Sequence, residues 1–237
     1  MSNQMKRLTA PRSWPLKRKI TVWVTKQSPG PHAIENSMPA AIVLRDMLKV
    51  CDTAKEAKRI IGNREVLVDG RPIKSNKIPI GFMDVVSIPK TKANYRMLLT
   101  DKGKLTLVKI SDEEAKWKLC RLQNKTVVRG GKIQLNLHDG RNVVLKKNEY
   151  HTGDVLKIDL AGKKKIASSF PLAPGSLAMI VEGPHAGKTA VISECIEMRG
   201  PSPNVVKFED GTETVRNHVF VIGVKKSSIE LPEASIL

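Results

Sequence analysis

The stretch Gly183-Pro-His-Ala-Gly187-Lys188-Thr189 comes nearest to a chemical signature in this chain, because it resembles a nucleotide-binding phosphate loop. Its glycines are one residue too close, and Glu182 stands where the first glycine belongs. A phosphate loop also needs a helix after its Lys-Thr, whose N-terminal amides hold the phosphates. Here Ala190-Val191-Ile192-Ser193 continues as a strand, so the segment predicts a β–loop–β hairpin. The histidines at 32, 138, 151, 185 and 218 never fall at metal-ligand spacing with one another or with a cysteine, and no metal site is expected. Glu113-Glu114 sits among lysines and reads as a solvated helix start, not an acid–base pair. No Ser/His/Asp grouping is visible. Catalytic residues, cofactors and a small-molecule substrate are therefore not expected.

The chemistry that is present is cationic. Among 237 residues, 41 Lys and Arg oppose 23 Asp and Glu, for a net charge of +18. Such a charge repels itself and calls for a polyanion: nucleic acid first, an anionic membrane surface second. No apolar run of about 18 residues exists, so no membrane span is expected. The basic N-terminus is broken by Pro11, Pro15 and Pro29 and lacks a signal-peptide core. Cys51, Cys120 and Cys195 are scattered and odd in number, which predicts reduced thiols in a cytoplasmic protein. The positive charge is segregated: residues 1–41 carry +6, 42–94 carry +5, 95–172 carry +9, and 173–237 carry −2.

The expected phosphate contacts follow that segregation. In the first segment they are Lys6, Arg7, Arg12, Lys17, Arg18 and Lys19, with Trp14 as a group that could stack on an unpaired base. Trp14, between Ser13 and Pro15, leans toward a partner. Trp23 alternates with Ile20 and Val22 and is equally readable as a stacking group or as an anchor to the core. In the second segment the candidates are Arg45, Lys49, Lys55, Lys58, Arg59, Arg64, Arg71 and Lys74. Asp46, Asp52 and Glu56 partly balance them, so an ordinary solvated face is the competing reading. Arg129, Lys132 after Gly130-Gly131, and Arg141 complete the set. Lys163-Lys164-Lys165 is a further basic loop, for which a solvated charge run is a fair alternative.

The elements that must position these groups are short. Residues 1–41 form a basic extension rich in proline, where only 19–26 alternates like a strand; its tryptophans favour an arm that orders on its partner over a disordered tail. Ile42, Val43, Leu44, Met47 and Leu48 give a first helical face, and Thr53 with Glu56 starts a second helix over 54–61. A hairpin turns at Asp69-Gly70, and a strand over 84–88 follows. Strands over 105–110, 133–137, 142–145 and 155–160 predict a small barrel or sandwich, with 112–121 as a helical insertion. Strands over 177–181, 189–196, 205–208 and 219–222 make a further all-β unit. Asp-Gly pairs recur at 69–70, 139–140 and 210–211. Only 4% of the chain is aromatic, which suits several aliphatic-packed modules. The fold class is α+β, mostly β.

Several segments taken together resemble one family. They are Lys6-Arg-Leu-Thr-Ala-Pro-Arg-Ser-Trp-Pro15, Gly30-Pro-His, Leu44-Arg-Asp, Thr53-Ala-Lys-Glu-Ala-Lys58, Val66-Leu-Val-Asp-Gly70, Tyr95-Arg96, Lys118-Leu-Cys120, Gln134-Leu-Asn-Leu-His-Asp-Gly-Arg-Asn142 and Gly153-Asp154. Their order over nearly the whole chain is similar to small-subunit ribosomal protein four of archaea and eukaryotes. The resemblance implies a basic extension over 1–41 and a two-helix-plus-hairpin RNA-binding module over 42–104, of the kind found in bacterial ribosomal protein four. It also implies a central β domain over 105–172, a KOW-type small β-barrel over 173–223 and a tail over 224–237. The implied role is a structural constituent of the small ribosomal subunit in the cytoplasm. Its partners would be ribosomal RNA and neighbouring ribosomal proteins, and the chain would be a monomer outside the ribosome. The net-acidic KOW segment departs from an RNA-facing surface. The alternatives are an RNA-modifying enzyme tethered by the small module, or a KOW-bearing transcription or translation factor.

Overall fold

The computed structural model describes residues 4–160, 166–224 and 226–232. The chain divides into two compact units, residues 1–98 with 104–116, and residues 99–103 with 117–237.

In the first unit, β1 (Met5–Lys6) and β2 (Trp23–Val24) pair antiparallel as a short ribbon. The strand expected over 19–26 shrinks to those two residues because β1 offers only two to pair with. After β3 (Ser37–Pro39) comes a helical segment, α1 (Ala40–Ile42) running into a π-helical turn over Val43–Met47. The second helix, α2 (Ala54–Gly62), begins at a capping box. Thr53 Oγ1 accepts from the Glu56 amide (3.2 Å), and the Glu56 carboxylate accepts from the Thr53 amide (3.3 Å). Two of the helix's orphan donors are thereby satisfied locally.

The rest of this unit is β-structure: β4 (Leu67–Val68), β5 (Arg71–Pro72), β6 (Pro79–Gly81), β7 (Val85–Ile88), β8 (Ala93–Leu99) and β9 (Leu105–Ile110). β6 pairs with β3, and the others form a sheet in the order β5-β4-β7-β8-β9. β9 thus lies beside β8 in the first unit, where the sequence places it at the start of the central domain. The Leu105 amide donates to the Ser13 carbonyl (2.8 Å), which ties β9 to the arm. Met38, Ile42, Leu44, Ile61, Ile80, Met83 and Met97 fill the core.

The second unit begins with a twelve-residue strand, β10 (Trp117–Val128), where the sequence predicts a helical insertion over 112–121. Only a short 3-10 turn forms there, over Glu114–Lys116. Lys118 is fully buried in β10, and its charge masks the strand pattern. β11 (Lys132–Leu137), β12 (Asn142–Leu145), β13 (Val155–Asp159) and β14 (Ile166–Phe170) join it in the order β12-β11-β10-β13-β14. Their shared core is Cys120, Leu122, Leu135, Leu137, Leu156 and Ile158. A second five-stranded sheet has the order β18-β17-β16-β15-β19. Its strands are β15 (Ser176–Ile180), β16 (Thr189–Ile196), β17 (Val205–Phe208), β18 (Glu213–Val215) and β19 (Val219–Val224).

The loop resembling a phosphate loop joins β15 to β16, so it enters a strand and not a helix. Gly187 there has φ +94°, and a Cβ on it would run into the Thr100 carbonyl. The three Asp-Gly turns are not alike. Both Asp69 (φ 50°) and Gly70 (φ 75°) are left-handed, the signature of a two-residue type I′ hairpin. At 139–140 and 210–211 only the glycine is left-handed. Among the described residues no helix is long and apolar enough to cross a membrane.

Candidate nucleic-acid interface

The arm uses part of its charge to hold itself together. Arg7 is 6% exposed; its Nε donates to the Lys17 carbonyl (2.6 Å) and its Nη1 to Thr21 Oγ1 (3.4 Å). Arg18 donates to the carbonyls of Leu8 (3.1 Å), Ala10 (2.7 Å) and Pro11 (2.9 Å). Both are backbone staples in the free protein and not open phosphate contacts, because carbonyl acceptors already take guanidinium donors. Lys6, Arg12, Lys17 and Lys19 are exposed.

The structure reverses the lean of Trp14 toward a partner and exposes Trp23, which the sequence leaves open. Trp14 is 2% exposed, and its Nε1 donates to the Ser37 carbonyl (2.7 Å). It anchors the arm to the core and presents no face to a base. Trp23 is 54% exposed.

The small module presents a cleaner surface. Ala57 and Ile61 point α2 into the core, while Lys55, Lys58 and Arg59 are exposed at the three- and four-residue spacing that shares one helix face. Lys49 (φ 52°) and Arg64 (φ 59°) follow the two helical segments in left-handed conformations, both exposed. Cations near a helix C-terminus complement the partial negative charge of its free carbonyls. Arg71 and Lys74 are exposed on and after β5. Arg45 is half-buried and paired with Asp46 (2.8 Å), which blunts it as a phosphate ligand.

In the second unit, Arg129 and Lys132 are exposed on either side of Gly130 (φ 85°) and Gly131 (φ 68°), at the turn from β10 to β11. Arg141 is different: its Nε lies 3.1 Å from Asp139 Oδ2, within a buried charge cluster. Lys118 Nζ is 2.9 Å from the same oxygen, and neither Lys118 nor Asp139 is appreciably exposed. Burial works against the charged carboxylate. Even so, Lys118, the neighbouring His138 and the Arg141 amide hold the Asp139 pKa down to about 2. Lys163, Lys164 and Lys165 lie outside the described residues.

Two groupings in this unit have no sequence signal. Donor atoms of Cys120, His138 and Asp139 lie within 4.8 Å of one another. The Lys118 ammonium on the same carboxylate disfavours a second cation there, and the arrangement serves as an internal ion pair. The other is a polar cleft of about 690 Å³, whose lining includes Arg121, Asn124, Asn204, Arg216 and Asn217. Arg121 donates to the Asn217 and Val219 carbonyls, and Arg216 to the Thr152 carbonyl. Burial lowers the Arg121 pKa, opposed by Glu182. The lining comes from five separate stretches of chain, so no local pattern marks it.

The β16–β18 region carries the acidic charge. Glu194, Glu209, Asp210 and Glu213 are exposed, and Glu213 pairs with Lys207 (2.8 Å). Lys188 is exposed in the β15–β16 loop.

Residues 91–165 match the profile described as Ribosomal family S4e, residues 1–35 the RS4NT (NUC023) domain, and residues 41–86 the S4 domain. The chain is 46% identical over 232 residues to the small ribosomal subunit protein eS4 of Methanothermobacter thermautotrophicus, covering 96% of this chain and 95% of that one. It is 44% identical to the eS4 protein of Methanocaldococcus jannaschii, covering 96% of each. The crystal structure of the 30S ribosomal protein S4e from Thermoplasma acidophilum superposes with a TM-score of 0.71 at 37% identity. That match spans 81% of this chain and 98% of the other.

Proposed function

Because this chain belongs to the S4e family of ribosomal proteins, we infer that it is a non-catalytic structural constituent of the small ribosomal subunit, in the cytoplasm, that binds ribosomal RNA. The observation that carries the reading is the α2 face of Lys55, Lys58 and Arg59, free of carboxylate partners in the ion pairs described, inside the segment that matches the S4 domain. Lys6, Arg12, Lys17 and Lys19 on the arm, Lys49, Arg64, Arg71 and Lys74 on the module, and Arg129 and Lys132 at the β10–β11 turn extend the phosphate-facing set. Neighbouring ribosomal proteins are the other partners, and the chain is a monomer when free. Four modules with a short tail suit this role: the arm (1–41), an S4-type module (42–104) to whose sheet β9 adds (Leu105–Ile110), a central β domain that begins at β10 (Trp117–Val128) and runs to about residue 172, and a KOW-type barrel (173–223). The acidic face of the barrel turns away from RNA.

The test is the salt dependence of binding to a small-subunit rRNA fragment. Each phosphate contact contributes about 0.7–0.9 to the slope of log affinity against log salt. The triple variant Lys55→Ala, Lys58→Ala, Arg59→Ala should lower that slope by roughly two to three while the thermal midpoint stays near wild type. An unchanged slope would remove the α2 face from the interface.

A further inference from the structure

The arm carries its side chains inside out for a segment that ends in water. The Arg7 guanidinium is buried and that of Arg18 is bound to three carbonyls, while Leu8 (64%), Ile20 (65%), Val22 (65%) and Trp23 (54%) are exposed. Exposed large apolar groups gathered in one short segment mark a surface that something else covers. Trp23 stands apart from the other two tryptophans. Trp14 is buried, and Trp117 has the Lys157 ammonium 3.8 Å above its ring.

We propose that Trp23 is a stacking platform for an unpaired RNA base, with Lys6 beside it as the contact to that nucleotide's phosphate. The register of the ribbon sets Lys6 directly opposite Trp23. Directly paired residues on adjacent strands project their side chains to the same face, about 5 Å apart at Cβ. A base on the ring and a phosphate on the ammonium therefore fit one nucleotide. Charge complementarity identifies the occupant: Lys6, Arg12, Lys17 and Lys19 are all exposed, and the arm has no acidic residue before Glu35. A protein covering this surface would have to neutralise four cations, whereas single-stranded RNA brings phosphates and aromatic faces together. The ribbon is also set in place before binding. The Arg7 amide donates to the Val22 carbonyl (2.9 Å), and the two arginine staples close the loop around it. Little ordering cost remains to be met when the base docks.

The inference rests on the RNA-binding reading above, and the experiment separates the two. Full-length protein is titrated with a single-stranded oligoadenylate and with a blunt RNA duplex of equal length, following tryptophan emission and affinity across a salt series. The single strand should quench the red-edge emission of exposed Trp23. Trp23→Ala should weaken single-strand binding by about ten-fold, leave the duplex nearly unaffected and keep the salt slope, since stacking releases no counterions. Trp23→Phe, which retains an aromatic face, should keep most of the affinity. Lys6→Ala should instead lower the slope by about 0.7. Wild-type affinity in Trp23→Ala, or equal losses in the Ala and Phe variants, would overturn the stacking role and leave the patch to a protein neighbour. If the wild-type protein binds neither RNA, the broader reading falls with it.

Discussion

Replacing Asp139 with Asn removes the charge that the buried Lys118 ammonium faces at 2.9 Å. The shape and the turn bond from the Arg141 amide to Oδ1 are kept, so the variant isolates the charge. Removing one partner of a buried pair leaves the other charge uncompensated, at a cost of about 3–5 kcal/mol. The pKa of about 2, against an ordinary value of 3.8, gives an independent figure of about 2 kcal/mol for the same carboxylate. The two bracket an expected loss of roughly 2–5 kcal/mol at pH 7, or on the order of 10 °C in the melting temperature of a unit this size. The depressed pKa also fixes the pH dependence. The contribution is fully present above about pH 4 and is lost as pH falls through about 2. Thermal melts of wild type and Asp139→Asn between pH 7 and pH 2 should therefore show a gap that closes in acid. Subtracting the two removes the titration of every other carboxylate. A gap below about 1 kcal/mol at neutral pH, or one that persists at pH 2, would refute the buried pair as the organiser of β10. The double variant Lys118→Met, Asp139→Asn should recover much of the loss, since it removes the buried ammonium that Asp139→Asn alone leaves uncompensated.

Gly187→Ala should destabilise the second unit severely, because its Cβ meets the Thr100 carbonyl and its φ is +94°. Gly211→Ala, left-handed but with open space around it, should cost only about 1 kcal/mol, and thermal midpoints compare the two. Thr53→Ala removes half of the capping box and should cost about 1 kcal/mol, read from urea midpoints.

Local chemistry was legible and distant pairing was not. The capping box at Thr53 and Glu56 and the three Asp-Gly turns declare themselves within four residues, and each stands in the structure where the sequence predicts it. The strands from β11 to β13 follow from alternation alone. β10 does not, because a strand whose second residue is a buried lysine imitates a polar segment. What makes Lys118 a core residue is Asp139, 21 positions later, and no window along the chain contains both. β9 fails for a related reason: its alternation is plain, but its partner strand, and so the unit it joins, is set by tertiary pairing.

The same limit governs the cations. A formal charge of +18 sets a ceiling on how many counterions RNA binding can release, not the number it does release. Arg7 and Arg18 hold the arm's own carbonyls and Arg141 holds Asp139, so three of the expected phosphate contacts are structural. In sequence they look the same as Arg12 and Arg129, which are exposed. Trp14 and Trp23 sit nine positions apart in the same basic segment, and only the Ser37 carbonyl, 23 residues beyond Trp14, decides which indole faces inward. Charge patterning thus identifies the partner class, because the class depends on the sum. The identity of each contact depends on which donors the folded backbone has already taken, and that is settled only when the arm closes on itself.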